Sequence, residues 1–151
     1  MSRAAEYETV AAQVTTLIEE APSFVAALAS TAALLNDTFE HYFWVGFYLP
    51  EEDGSLSVGP YQGPLACMKI PAGRGVCGAA VERREVLVVP DVHAFPDHIT
   101  CDSRSRSEVV VPVLRDGEVR AVLDVDSDRL NAFDDSDRTG LVTLAGLLAD
   151  A

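Results

Sequence analysis

Lysine is almost missing from this chain: Lys69 is the only one in 151 residues. The 11 Lys plus Arg residues face 24 Asp plus Glu, for a net charge of −13. A protein that grips nucleic-acid phosphates draws its non-specific affinity from a basic face, so nucleic acid and anionic membrane surfaces are excluded as partners. Long apolar runs are missing too. No stretch approaches the roughly 18 uninterrupted apolar residues of a membrane helix, and Met1-Ser2-Arg3 leads into Glu6 and Glu8 where a signal peptide would turn apolar. These absences predict a cytoplasmic protein with no membrane contact. Cysteine is scarce, with three residues, an odd number. In a reducing compartment that does not read as a disulfide framework. A chain of this length buries enough surface to fold without staples. Each cysteine therefore needs a reason in chemistry or in packing.

What is present, 48% hydrophobic and 23% charged residues, fits one soluble domain. Residues 3–20 carry Val10, Val14, Leu17 and Ile18 at helical spacing. Pro22 opens a second helix with Val25, Leu28, Ala32 and Leu35 on one side. From Tyr42 the composition turns aromatic and β-branched: Tyr42–Leu49 reads as a strand, Glu52-Asp53-Gly54 as a turn and Leu56–Tyr61 as its hairpin partner. A short apolar run, Cys67–Ile70, stops at Pro71; a brief helix follows over Val76–Arg83, then a strand over Val86–Val89. Residues 90–107 have no period, and a loop this long inside a compact domain is usually functional. Val109–Leu114 and Glu118–Asp126 form a second hairpin around Asp116-Gly117, and Asp134 or Asp135 caps a last helix. The organisation is one domain over 1–151: helices in 1–38, sheet and loops in 39–133, a closing helix in 134–151.

The register of the second hairpin decides which residues share a face. A three-residue loop, Arg115 to Gly117 with the glycine left-handed, pairs Leu114 with Glu118 and segregates the apolar side best. It sets Glu108 opposite Asp124, with Asp126 two residues along, so three carboxylates share one face. Such a cluster is either a solvated acidic surface or a pocket that grips an ammonium group and keeps one carboxyl protonated.

The thiols differ in setting. Cys101 lies in the polar run Asp102-Ser103-Arg104-Ser105-Arg106-Ser107, where guanidinium charge favours thiolate, the nucleophilic form. Cys77 falls in the first turn of the short helix, where the dipole acts the same way, and Cys67 reads as an ordinary strand residue. Rival motifs are weaker. Gly73-Arg74-Gly75-Val76-Cys77-Gly78 matches G-x-G-x-x-G, but its helix is too short for a dinucleotide unit and Pro71 cuts the preceding strand. Asp91, His93, His98 and Cys101 have the right chemistry for zinc without a pair that fixes geometry. Trp44 and Tyr48 share a strand face, as core or as the wall of a ligand cage.

Several segments together carry a resemblance: Trp44-Val45-Gly46-Phe47-Tyr48, Gly59-Pro60-Tyr61-Gln62-Gly63, Ile70-Pro71-Ala72-Gly73-Arg74-Gly75-Val76-Cys77-Gly78, the loop from Val89 through Cys101 to Glu108, and Leu123-Asp124-Val125-Asp126-Ser127. From about residue 40 onward the chain resembles the free methionine-(R)-sulfoxide reductase family, enzymes of the GAF fold. The resemblance implies an α/β (α+β) GAF-type fold, a central antiparallel sheet of about six strands with N- and C-terminal helices packed on one face. It implies Cys101 as catalytic cysteine, Cys67 as main resolving cysteine and Cys77 as a second thiol able to exchange. The residues alone favour Cys77 over Cys67 through its helix position, so that choice rests on the resemblance. Trp44 and Tyr48 correspond to an aromatic wall around the substrate's S-methyl end. Glu108, Asp124 and Asp126 correspond to an acidic cluster, with Glu108 or Asp124 supplying the proton. The implied reaction reduces free L-methionine (R)-S-oxide through a sulfenic acid and an intramolecular disulfide. Thioredoxin is the expected electron donor, a homodimer the expected assembly, and no bound cofactor or metal is expected. A GAF sensor that binds a small ligand without catalysis is the reading from another class.

Overall fold

The computed structural model describes residues 1–151. Two helices open it, α1 (Arg3–Glu20) and α2 (Phe24–Thr38), each capped by a serine hydroxyl that accepts from an amide of the first turn: Ser2 from Ala5 and Ser23 from Ala26, both at 3.1 Å. Helix α1 buries Tyr7, Val10 and Val14, one stripe at helical spacing. Helix α2 buries Leu28, Ala32 and Leu35 as the spacing predicts. Val25 keeps the spacing but is 51% exposed; in the first turns Phe24 and Ala27 face the core in its place.

The remaining elements are β1 (Trp44–Pro50), β2 (Leu56–Gln62), β3 (Lys69–Ile70), α3 (Gly75–Arg83), β4 (Leu87–Val89), a 3-10 turn at Val92–Ala94, β5 (Ser107–Arg115), β6 (Glu118–Ser127) and α4 (Asp135–Leu148). All six strands join one antiparallel sheet in the order β3-β2-β1-β6-β5-β4. Helices α1, α2 and α4 cover one face. Strand alternation sends Val45, Phe47, Val109, Val111, Leu123 and Val125 into that layer. The opposite face receives Trp44, Tyr48, Val110 and Val122, with α3 and the long loops above it.

The hairpin β5–β6 departs from the expected register. Its turn has two residues, Asp116 at φ 53° and Gly117 at φ 79°, so both central positions are left-handed and Arg115 pairs with Glu118. Mirror-image turns of this kind match the twist of the flanking strands, which the three-residue loop with one left-handed glycine does not require. The slack appears later instead: Leu114 pairs with Val119 and Val113 with Ala121, leaving Arg120 as the extra residue of a bulge. Arg120 uses that freedom to donate to the carbonyls of Ala149 (3.0 Å) and Ala151 (2.8 Å), while its guanidinium covers the Phe24 ring. Glu108 therefore lies opposite Asp126, and Val110 opposite Asp124. The displacement is two residues, which returns every side chain to the expected face.

Cys67 is not a strand residue. Only Lys69 and Ile70 find partners on β2, and Cys67 sits in irregular chain between Pro64 and Met68.

Candidate active site

A pocket opens on the sheet face away from the three covering helices. Strand β1 supplies its wall, β5 and β6 its floor, α3 one side, and the chain around residues 65–66 and 98–105 its rim. On β1, Trp44 stacks on Tyr48 with ring centroids 6.0 Å apart and on Tyr61 of β2 at 5.2 Å. Gly46, between them on the same face, makes the wall possible: a Cβ there would sit 2.6 Å from the Trp44 ring and also run into Tyr61. The Tyr48 hydroxyl donates to the Cys67 carbonyl at 3.1 Å and ties the wall to the rim. Tyr61 was not singled out in the sequence, although its place in Gly59-Pro60-Tyr61 opposite Gly46 was the available signal.

The floor is the acidic cluster. Glu108 and Asp124 are buried and Asp126 is half-buried, so the solvated-surface alternative for this face does not hold. Burial first, then the charges of Asp124 and Asp126, push the Glu108 carboxyl well above the ordinary carboxylate range. Asp126 is pushed well up by burial and by Asp124. Asp124 is raised by burial, against hydrogen bonds from Glu108 and Cys77 that favour its ionised form. The floor thus favours protonated carboxyls more than water does. Two buried polar atoms of the pocket, Asp124 Oδ1 and the Trp44 indole Nε1, have no hydrogen-bond partner in the protein. One acceptor and one donor are left for a guest.

At the rim Cys67 and Cys101 are joined as a disulfide, with Cα atoms 5.2 Å apart and 34 positions between them in sequence. Cys101 is exposed. The guanidinium expected to favour its thiolate is occupied: Arg104 grips Asp102 through two bonds of 2.9 and 2.7 Å and lies over the Phe43 ring. That grip holds the Asp102 carboxyl down at about 2. Cys77, the one free thiol, is buried in the first turn of α3. Burial and the carboxylates of Asp124, Glu108 and Asp126 raise its thiol well above the usual value, so they outweigh the helix dipole. The expected activation of Cys77 is reversed by what faces it across the pocket.

The loop before Cys101 is fastened by a pair that sequence reading passed over. Asp97, itself left-handed at φ 64°, accepts from Arg74 Nε at 2.7 Å and from the Gly75 amide at 3.4 Å. Gly75 lets Ile99 close over the start of α3. The structure does not favour a zinc centre on Asp91, His93, His98 and Cys101, because the Cys101 sulfur is bonded to Cys67.

Comparison with known proteins agrees with this arrangement. The GAF domain family profile matches residues 19–151. The chain is 48% identical to free methionine-R-sulfoxide reductase of Escherichia coli over 83% of its length and 76% of that protein's. It is 44% identical to GAF domain-containing protein A of Dictyostelium discoideum, over 97% of this chain and 92% of that one. A crystal structure of free methionine-R-sulfoxide reductase from Neisseria meningitidis, in complex with its substrate, superposes with a TM-score of 0.95 at 47% identity. That match covers 99% of this chain and 90% of the other. A six-stranded GAF sheet, a disulfide across a pocket mouth and an acidic floor thus stand together with close relatives of one activity, and the chain belongs to the free methionine-R-sulfoxide reductases of the GAF domain family.

Proposed function

We propose that this chain reduces free L-methionine (R)-S-oxide to L-methionine and returns to its resting state at the expense of a dithiol protein such as thioredoxin. The supporting observation is the Cys67–Cys101 bridge at the rim of a pocket whose floor is a buried cluster of carboxyl groups. A disulfide there is the product state of such a cycle, and a ligand sensor has no need of one.

The steps balance as follows. The Cys101 thiolate attacks the sulfoxide sulfur while Glu108, the most strongly raised of the opposing acids with Asp126, gives its proton to the sulfoxide oxygen. The sulfur–sulfur bond of that adduct and the substrate S–O bond then break as the hydroxyl passes to the Cys101 sulfur, which releases methionine and leaves Cys101 as a sulfenic acid. The Cys67 thiol attacks that sulfur and releases water, forming the disulfide. A donor dithiol then exchanges through exposed Cys101 and restores both thiols. Trp44 and Tyr48 enclose the S-methyl end, and Asp124 with Asp126 meets the substrate's ammonium group. Cys77, buried and protonated, stands in reserve as a second resolving thiol. A homodimer and a cytoplasmic location complete the proposal; sedimentation analysis tests the first.

NADPH oxidation coupled through thioredoxin and thioredoxin reductase tests the activity. The free R-sulfoxide should be turned over and the S-epimer left. Equal rates with both epimers, or none with either, would overturn the assignment.

A further inference from the structure

Cys77 is a buried thiol for which the cycle above has only a reserve use. Its Sγ, a carboxylate oxygen of Glu108 and one of Asp124 lie within 4.8 Å of one another. One sulfur and two carboxylates are a donor set for a borderline divalent cation such as Zn2+, not for Mg2+ or Ca2+, which take oxygen alone. Zinc bonds of about 2.3 Å to sulfur and 2.1 Å to oxygen place tetrahedral donors about 3.6 Å apart. With all three atoms inside 4.8 Å, even the widest pair would close in by no more than about 1.2 Å to reach that spacing.

A second observation points to a ligand. Asp124 is 5% exposed, and its Oδ1 lines this pocket without a hydrogen-bond donor. No lysine or arginine ion pair reaches Asp124: Arg3 pairs with Asp134 and Asp137, Lys69 with Asp53, Arg74 with Asp97 and Arg104 with Asp102. A buried carboxylate without a positive partner is costly, and besides a shared proton or the ammonium group of a guest, a metal ion can relieve it.

We infer that Cys77, Glu108 and Asp124 form a binding site for a zinc-type divalent cation in the floor of the pocket, and that cation and substrate exclude one another. Binding expels the thiol proton and the proton held between the two carboxyls into solvent; no electrons move. The exclusion rests on the proposed function, because it assumes that sulfoxide occupies this pocket. The binding does not.

The disulfide form of the full chain is the right reagent, since Cys67 and Cys101 are blocked and only Cys77 can give a thiolate signal. Titration with Co2+ should produce a thiolate-to-cobalt charge-transfer band in the near ultraviolet that saturates at one equivalent and is bleached by Zn2+. The band should vanish in Cys77→Ala. Asp124→Asn, a smaller change in shape, should weaken binding at least tenfold while the circular dichroism spectrum stays that of the wild type. No band in the wild-type disulfide form, or a band that survives Cys77→Ala, overturns the site. In the reduced enzyme, Zn2+ should raise the apparent KM for sulfoxide, and a chelator should reverse this. Cobalt binding in a chain that reduces no sulfoxide would overturn the functional reading and leave the site standing. Undiminished reduction with the site filled would overturn the exclusion.

Discussion

Serine at position 101 keeps the side chain's size and loses its chemistry, because a hydroxyl stays protonated where a thiol can ionise. Cys101→Ser should fold and show under about 1% of wild-type turnover in the coupled assay. Cys67→Ser should still release one methionine per chain in a single turnover without donor, and then stall; steady turnover after that change would move the resolving role to Cys77. Glu108→Gln separates catalysis from stability. Its proton donation is lost, which should cost roughly 10²- to 10⁴-fold in kcat. The stability change has the opposite sign. Because the folded chain raises this carboxyl, its favourable contribution is complete below the unfolded pKa of about 4.3 and declines as pH rises toward the folded value. Glutamine carries no such decline, so the variant should melt roughly 2 to 5 °C higher at pH 8 and match the wild type near pH 4, read by calorimetry. Residue identity in the chain brought these side chains forward but could not set the state of the Cys77 thiol. A helix N-terminus is visible in sequence, but the three carboxylates that oppose it at Cys77 arrive from strands 31 to 49 positions away.

At the scale of elements, α4 is held by one carboxylate with many partners. Asp137 is fully buried and accepts from Tyr7 Oη (2.6 Å), His41 Nε2 (2.8 Å), Arg3 Nη1 (2.9 Å) and the Asp134 amide (2.9 Å), closing a capping box. Burial alone would raise its carboxyl, but the bonds from His41, Tyr7 and the Asp134 amide together hold it below the usual range. Its contribution is present above the ordinary carboxylate pKa and lost as pH falls through the lowered value. Asp137→Asn should lower stability by about 2 to 4 kcal/mol at pH 7 in urea unfolding, with the gap narrowing as pH falls below the ordinary carboxylate range. Element order and type were legible because caps, turns and periodicity are local signals. The β5–β6 register was not, since the bulge at Arg120 answers to Phe24 and to the C-terminal carbonyls, all remote in sequence. The acidic face was still assigned correctly because the register error was an even number.

At the scale of the whole molecule, the proposed substrate is a free amino acid and not a chain. A floor of Glu108, Asp124 and Asp126 suits an ammonium group that methionine within a polypeptide lacks. N-acetylmethionine R-sulfoxide keeps the reacting sulfur and methyl, so its kcat/KM should fall by at least about 100-fold; comparable values would mean the floor is no ammonium site. The cysteine bridge has a further consequence at this scale. It fastens two rim segments 34 residues apart, and closing a loop of that length removes denatured-state freedom worth about 3 to 4 kcal/mol. Each catalytic round therefore alternates a tougher chain with a softer one. Limited proteolysis should spare the oxidised protein and nick the reduced one near residues 95–106, where the Arg74–Asp97 clasp and the packing of Ile99 against Gly75 would remain to hold the segment against α3. When donor dithiols run low under oxidative stress, the population should accumulate in its longest-lived form and wait there until reducing power returns.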